Sequence, residues 1–236
     1  MKARNGEARG DTAAMFDRIA PRYDLLNRLL SFRRDVAWRR RLAGALPEGG
    51  ALRVLDLATG TGDVLLEVAH ACPGMRLGVG LDPAGAMLER ARPKIADHAR
   101  LRLVRGDAMR IPAADSSFDA VTIAFGIRNV SGVETALAEM YRVLRPGGRV
   151  LILEFSLPGN VVLRAAYLLY FRHVLPRIGG LVSGDPAAYR YLNTSVETFP
   201  YGEAFCRLLR DAGFTEVRAF PLSGGIAALY RADKEA

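Results

Sequence analysis

The residue types best suited to chemistry begin in Val54–Asp63, where an apolar run, Val-Leu-Asp-Leu-Ala, opens into Thr59-Gly60-Thr61-Gly62-Asp63. Gly60 and Gly62 allow a sharp strand-to-helix turn and a close approach of backbone to ligand that any side chain would obstruct. A dinucleotide fingerprint needs a third glycine three residues after the second; Leu65 holds that position, so a pyrophosphate cradle is disfavoured. The next apolar run, Met75–Leu81, ends in Asp82, about twenty residues past the turn, where a carboxylate accepts both hydroxyls of a ribose. A ribose without a pyrophosphate points to S-adenosylmethionine. The competing reading is an ordinary tight turn followed by a surface Asp.

Such residues need a scaffold that brings them together. Strand-like runs occur at Leu52–Leu57, Leu77–Leu81, Leu101–Val104, Ala120–Phe125 and Val150–Phe155, separated by helical segments, and the alternation predicts a doubly wound parallel sheet. Ligands of such sheets lie at the carboxyl ends of the strands, where Thr61, Asp82, Asp107 and Phe125–Asn129 should converge. Residues 15–50 read as an N-terminal helical cap, 51–156 as the cofactor-binding core, 157–200 as an inserted lid, and 201–236 as a helix followed by two strands, Val217–Leu222 and Ile226–Arg231. Together they make one α/β domain with a Rossmann-like, mainly parallel, seven-stranded sheet. Residues 1–14, polar and lacking an apolar core, read as a disordered tail rather than a signal peptide. Pro146-Gly147-Gly148 reads as a turn before the fifth strand.

A chain of 236 residues suits one domain with a sizeable core. Its net charge of +8 favours anionic partners, yet arginine supplies nearly all of it, since lysine occurs only at Lys2, Lys94 and Lys234. That scarcity leaves the central chain without a Schiff-base lysine or a Tyr-x-x-x-Lys pair, which weakens dehydrogenase readings. Cys72 and Cys206 are far apart and lie in helical patterns, so a disulfide framework is disfavoured and a reducing cytoplasm fits. No apolar run is long enough to span a bilayer; Val161–Leu175 is interrupted by Arg164 and Arg172. His70-x-Cys72 lacks a second ligand pair, and no metal site is expected.

Several longer segments carry a resemblance. Tyr23-Asp24-Leu25-Leu26-Asn27 through Ser31 to Trp38 forms one signature, and Arg142-Val143-Leu144-Arg145-Pro146-Gly147-Gly148 with Glu154-Phe155-Ser156 another. Phe125–Val130, His173–Gly179, Tyr189–Leu192 and Gly224-Gly225-Ile226 agree as well. Through these the chain resembles, from about Met15 to Arg231, the bacterial quinone C-methyltransferases, the family of demethylmenaquinone methyltransferase and 2-polyprenyl-6-methoxy-1,4-benzoquinol methylase. It departs from the usual family pattern in having Leu26 for Met, Asp35 for His or Gln, Ala124 for Ser and Arg145 for Lys. Asp35 falls beside the expected substrate entrance, and Ala124 removes a hydroxyl near the cofactor.

The resemblance implies a class I methyltransferase fold and transfer of a methyl group from S-adenosylmethionine to a ring carbon of a polyprenylated hydroquinone; a naphthoquinol and a benzoquinol both stay open. In the family's pattern Thr61, within the Gly60–Gly62 turn, meets the amino-acid portion of the cofactor, Asp82 the ribose, and Asp107 and Ala108 the adenine. Arg128 cannot be a base, because guanidinium stays protonated, but it can stabilise a developing phenolate; Asn129 would orient the same oxygen or a water. Tyr23 and Asp24 are substrate-side candidates. The proton acceptor stays open among Asp24, Tyr23, His173 and a bound water. The bland alternatives are that Asp107 and Arg128-Asn129 only cap loops, and that Tyr23 and Trp38 pack the cap on the sheet.

A polyprenyl acceptor resides in the bilayer, so transient contact with the inner leaflet is expected of a cytoplasmic, peripheral enzyme. Two segments fit it: Leu25–Leu46, with Phe32, Trp38 and solvent-facing arginines, Arg39 among them, and Asn160–Ile178, with Tyr167, Tyr170 and Phe171 beside Arg164, Arg172 and Arg177; the competing reading of each is an ordinary amphipathic helix docked on its own sheet. A homodimer or another quinone-biosynthesis enzyme is a further expected partner. A nucleic-acid methyltransferase would carry base-handling residues after the fourth strand, and Phe125-Gly126-Ile127-Arg128 does not fit that pattern. A soluble small-molecule methyltransferase is the nearest alternative, and a noncatalytic cofactor-binding module the third.

Overall fold

The computed structural model describes residues 12–18, 20–22, 24, 28, 31, 33–174, 177 and 186–236. Seven strands, β1 (Arg53–Leu57), β2 (Leu77–Asp82), β3 (Leu101–Arg105), β4 (Phe118–Ala124), β5 (Leu144–Phe155), β6 (Thr215–Leu222) and β7 (Ala227–Asp233), form one sheet in the order β3-β2-β1-β4-β5-β7-β6. The first five pair in parallel, whereas β7 runs antiparallel between β5 and β6. The helices are α1 (Arg34–Ala43), α2 (Asp63–Ala71), α3 (Gly85–Ile95), α4 (Val133–Val143), α5 (Val161–Leu169), α6 (Pro186–Thr198) and α7 (Glu203–Asp211), besides helical residues 12–18 and short 3-10 and π turns.

The strand side chains alternate between two cores, as the period of two requires. Leu55, Leu57, Val121, Ile123, Val150 and Ile152 face one, filled by Leu137 and Met140 of α4 and Phe205 and Leu209 of α7. Val54, Ala120, Leu151 and Leu153 face the other, with Trp38 and Leu42 of α1, Leu65 and Val68 of α2, and Ile95 of α3. Each helix turns one stripe inward: α4 buries Ala136, Leu137, Met140 and Val143, the i, i+1, i+4, i+7 spacing of a helix packed on a sheet.

Register places Leu57 beside both Leu81 and Ile123, and Ala124 beside Leu153, so the carboxyl ends of β1, β2, β4 and β5 emerge at one edge. Strand five begins earlier than its apolar run, at Leu144, because Leu144 pairs with Phe118 before Pro146-Gly147-Gly148 bulges outward and pairing resumes at Arg149 with Ala120. Gly147 takes φ +73°, open to glycine at no steric cost. One boundary needs correcting at the N-terminus: residues 12–14 do not belong to a disordered tail, since residues 12–18 are helical and Thr12 and Ala13 line a cavity. Among the described residues no helix is long and apolar enough to cross a membrane.

Candidate functional site

At the carboxyl edge of the sheet lies a cavity of about 200 Å³, lined at its polar end by Gly60, Asp82, Asp107 and Asn129 and along its apolar walls by Phe16, Met87, Ala108, Ala124 and Phe125. Gly60 and Gly62 both take left-handed backbone, φ +56° and +81°, which lets β1 turn directly into α2. Gly126 is required for a different reason: a Cβ there would lie 2.6 Å from Ala58 Cβ. Asp82 ends β2 and is 6 % exposed. Its Oδ2 accepts from the Gly60 N–H and its Oδ1 from the Ala84 N–H, each at 2.8 Å. Burial raises its pKa above the usual carboxylate value, while these two N–H groups work downward. Each oxygen retains a second lone pair for a donor in the cavity. Asp107 both lines the cavity and accepts from the Met109 N–H at 2.9 Å, so turn capping and wall-forming coexist in one side chain.

Thr61 is placed otherwise. It is buried and does not line that cavity; its hydroxyl donates to Asp24 Oδ1 at 2.6 Å. Lys94 then joins Asp24 and Asp63, both at 2.6 Å, and Asp63 continues through Arg39 (2.8 Å) to Asp35 (2.8 Å). Arg39 is 7 % exposed, so it is not one of the solvent-facing arginines, and Asp35 is buried against it rather than standing at an entrance. Burial works upward on the Asp24 pKa, but the hydrogen bonds from Lys94 and Thr61 outweigh it and hold the carboxyl below its ordinary value. A carboxylate so committed is a poor proton acceptor, and Asp24 does not line the cavity. The sequence analysis set Lys94 aside with the other lysines; the missed signal is its spacing. Ala86, Arg90 and Lys94 occupy one face of α3 and hold the N-terminal segment at three points: Asp17 Oδ1 (2.8 Å), Pro21 O (3.0 Å) and Asp24 Oδ2 (2.6 Å). That strap presses Phe16 beside Met87 over the cavity. Tyr23 lies outside the described residues.

The loop after β4 carries Arg128 and Asn129. Phe125 adopts left-handed backbone, φ +55°, and its carbonyl accepts from Arg128 Nη1 (2.8 Å) and Asn129 Nδ2 (3.3 Å). Arg128 Nη1 also meets Glu154 Oε1 at 2.5 Å, and the guanidinium lies 5.2 Å from the centroid of the Phe155 ring. Both side chains of this pair are buried, 6 % and 2 % exposed. Arg128 is therefore not an open cation: its charge is matched by Glu154, and its buried Nε–H has no hydrogen-bond partner among the described residues. The buried Tyr167 hydroxyl on α5 is likewise unpartnered there, and burial pushes its pKa up while the nearby Arg128 charge works against that rise. Arg128 lines a second, more open cavity of about 410 Å³ with Ser131, Val133, Tyr191, Phe199 and Leu208. Ser131 lines both cavities, so the two meet at residues 128–131. Tyr191 donates its hydroxyl to Asn129 Oδ1 at 3.2 Å.

Trp38 packs on Phe125 and Phe155, with centroids 6.0 and 6.3 Å away, and its Nε1 donates to Ser223 Oγ at 3.0 Å; it fastens the cap to the sheet and is 5 % exposed. Tyr167 and Phe171 also point inward, 9 % and 2 % exposed, so they are not interfacial aromatics. His173 is exposed on the π turn Tyr170–Val174 and lines neither of these two cavities. Glu154 was visible only as part of a motif, because nothing in sequence spacing pairs it with Arg128.

The chain is 52 % identical over 221 residues to a ubiquinone/menaquinone biosynthesis C-methyltransferase of Syntrophotalea carbinolica, covering 93 % of this chain and 92 % of that one. It is 50 % identical over 221 residues to a demethylmenaquinone methyltransferase of Thermus thermophilus, covering 93 % and 100 %. Among solved structures, a SAM-dependent methyltransferase of Thermotoga maritima superposes with a TM-score of 0.67 at 21 % identity, over 94 % of this chain and 99 % of that one, which establishes the shared fold. The profile of the ubiE/COQ5 methyltransferase family matches residues 2–234, and the chain belongs to that family.

Proposed function

We propose that this enzyme transfers a methyl group from S-adenosylmethionine to a ring carbon of a polyprenylated hydroquinone, demethylmenaquinol or 2-polyprenyl-6-methoxy-1,4-benzoquinol. The observation that carries it is the meeting of two cavities at residues 128–131, one suited to a nucleoside and one open to an acceptor. The residues present fit the cofactor: Asp82 has lone pairs left for ribose hydroxyls, Asp107 can accept from an amine, and Phe16, Met87, Ala108 and Ala124 supply flat apolar walls for a base. Ala124 offers no hydroxyl there. The backbone at Gly60, with Thr61 and Gly62 behind it, would bound the amino-acid end, Thr61 acting through the Asp24–Lys94 network rather than by direct contact.

The bound cofactor supplies an already activated methyl group. The protein must align the ring carbon and make it nucleophilic. A phenolic hydroxyl with a pKa of about 10 gives little phenolate at neutral pH. Arg128, which lines the second cavity, would donate to an acceptor oxygen placed there and stabilise its anionic form. Glu154 and the Phe125 carbonyl fix the guanidinium so that no reorganisation is needed on reaction. Asn129, steadied by Tyr191 and Phe125, orients the acceptor or a water that takes the proton. The relatives' names, ubiquinone/menaquinone biosynthesis and demethylmenaquinone methyltransferase, support the quinol acceptor. The test is transfer of labelled methyl to reduced short-prenyl demethylmenaquinol and the benzoquinol analogue side by side, with the product mass located on the ring carbon. Transfer to either supports the reading; cofactor binding without transfer to either defeats it.

A further inference from the structure

Helix α5 is apolar at every position but Arg164, close to the composition of a helix buried on all sides. It is buried on one side only. Tyr167 turns inward with Phe171 of the following π turn, against Leu157 and Val196. At about 100° per residue, Val161, Ala165, Leu169, Val162 and Ala166 fill a continuous outer arc of about 140° with no polar residue in it. Val161 and Val162 are 79 % and 80 % exposed and Leu169 63 %, and Val174, on the π turn that follows, is 40 % exposed. These account for most of the large hydrophobic side chains exposed among the described residues, and a contiguous apolar patch of this kind marks an interaction surface.

Charge identifies what the patch meets. Residues 155–184 contain no Asp or Glu, although the chain holds 25 acidic residues, while Arg164 lies within α5 and Arg172 and Arg177 follow it in the chain. All three are exposed. The acid facing them from another element is Glu197 of α6, which pairs with Arg172 at 2.5 Å. An apolar arc with basic side chains able to snorkel beside it suits acyl chains below and anionic headgroups alongside. A second copy of the chain fits less well: α5 is about 14 Å long, and one face of it supplies far less than the roughly 800 Å² per partner of a stable interface. We infer that α5 lies in the plane of an anionic lipid surface, with Val161, Val162 and Leu169 among the acyl chains and Arg164 and Arg177 among the headgroups.

The inference rests on the membrane-held acceptor proposed above, and it explains how that acceptor reaches the site. The inner face of α5 packs against Phe155, whose ring carries the Arg128 guanidinium. Lipid on the outer face is thus about one helix diameter, ~10 Å, from the site wall. A quinol ring can enter beside α5 while its prenyl tail stays in the bilayer.

The experiment is flotation of the full chain with phosphatidylcholine vesicles, with and without phosphatidylglycerol, comparing the parent with V162D/L169D. Both positions are exposed, so the variant should keep the parent's circular dichroism and its rate on a short-chain quinol presented in solution. The parent should float with phosphatidylglycerol vesicles and be released by salt; the variant's binding should fall about tenfold or more, and its rate on long-prenyl quinol embedded in vesicles with it. A parent that ignores phosphatidylglycerol vesicles, or a variant that floats equally well, overturns the inference. So does a parent that sediments as a dimer which the variant converts to monomer, because the face then belongs to a second copy. Flotation lost only in the variant, with neither quinol methylated by the parent, upholds the lipid face and defeats the acceptor reading instead.

Discussion

Arg128 and Glu154 show why a site residue cannot be judged by its charge alone. A free guanidinium would stabilise a phenolate by net charge; a guanidinium matched by a buried carboxylate does so through oriented N–H groups. Arg128→Ala should therefore lower turnover about 10²- to 10³-fold while leaving cofactor affinity nearly unchanged by calorimetry. Glu154→Gln should lower kcat without raising the cofactor Kd. Full activity in Arg128→Ala would sink its proposed role. Asp82→Ala should show the reverse pattern, a cofactor Kd raised about tenfold or more, because two ribose hydroxyls lose a charged acceptor. Asp56 tests a different property. It is 1 % exposed within β1, accepts from Thr59 and Thr122 hydroxyls at 2.6 Å, and burial pushes its pKa up to about 7. Its folded-state value is raised above the unfolded one, so the unfolded chain sheds the proton first. Stability from this group is then fully present below about pH 4 and is lost as pH rises to about 7. Asp56→Asn cannot ionise, so its stability relative to the parent should rise by on the order of 1–3 kcal/mol between pH 4 and pH 8, measured by urea unfolding at each pH. A difference independent of pH would contradict the assignment.

Among the elements, the five parallel strands and the C-terminal pair were legible because each is a short apolar run bounded by turn residues, and the Gly60–Gly62 turn fixed where β1 had to end. Asp82, Asp107 and Asn129 were legible as wall residues because they follow strand ends, where the topology gathers side chains. The strap was not. Its contacts with α3 come from Asp17, Pro21 and Asp24, each about 70 positions from its partner, and no local period records them. The outward face of Asn160–Ile178 differs from the expectation for a related reason: the aromatic residues that look interfacial, Tyr167 and Phe171, pack on Leu157 and Val196, leaving valine, alanine and leucine outside. Lys94→Met keeps the aliphatic stem but removes the bond to Asp24, so it should loosen residues 12–18 and 20–22 without unfolding the sheet. Hydrogen exchange there should quicken and the cofactor Kd should rise several-fold; unchanged exchange would show that Lys94 does not hold the strap.

The whole molecule is closed by its last strand. Gly147 N–H donates to the Lys234 carbonyl at 3.0 Å, Lys234 N–H returns a bond to Gly148 at 2.8 Å, and Lys234 Nζ donates to the Tyr141 and Leu144 carbonyls while lying 4.6 Å from the Tyr141 ring centroid. Lys234→Ala should cost about 1–2 kcal/mol, a fall of about 2–8 °C in Tm for a chain of this size. An unaltered Tm would mean that the clasp is only local. The position of β7 between β5 and β6 also sets an order of events during synthesis. The ribosome makes β5, then all of residues 156–226, and only afterwards the strand that covers the β5 edge. At ~5–20 residues per second that edge, with Val150–Leu153 behind it, waits on the order of 4–14 s without its neighbour. For that interval the nascent chain carries an open strand edge, so a slow codon placed after β5 should aggregate more of the protein than the same codon placed after β7.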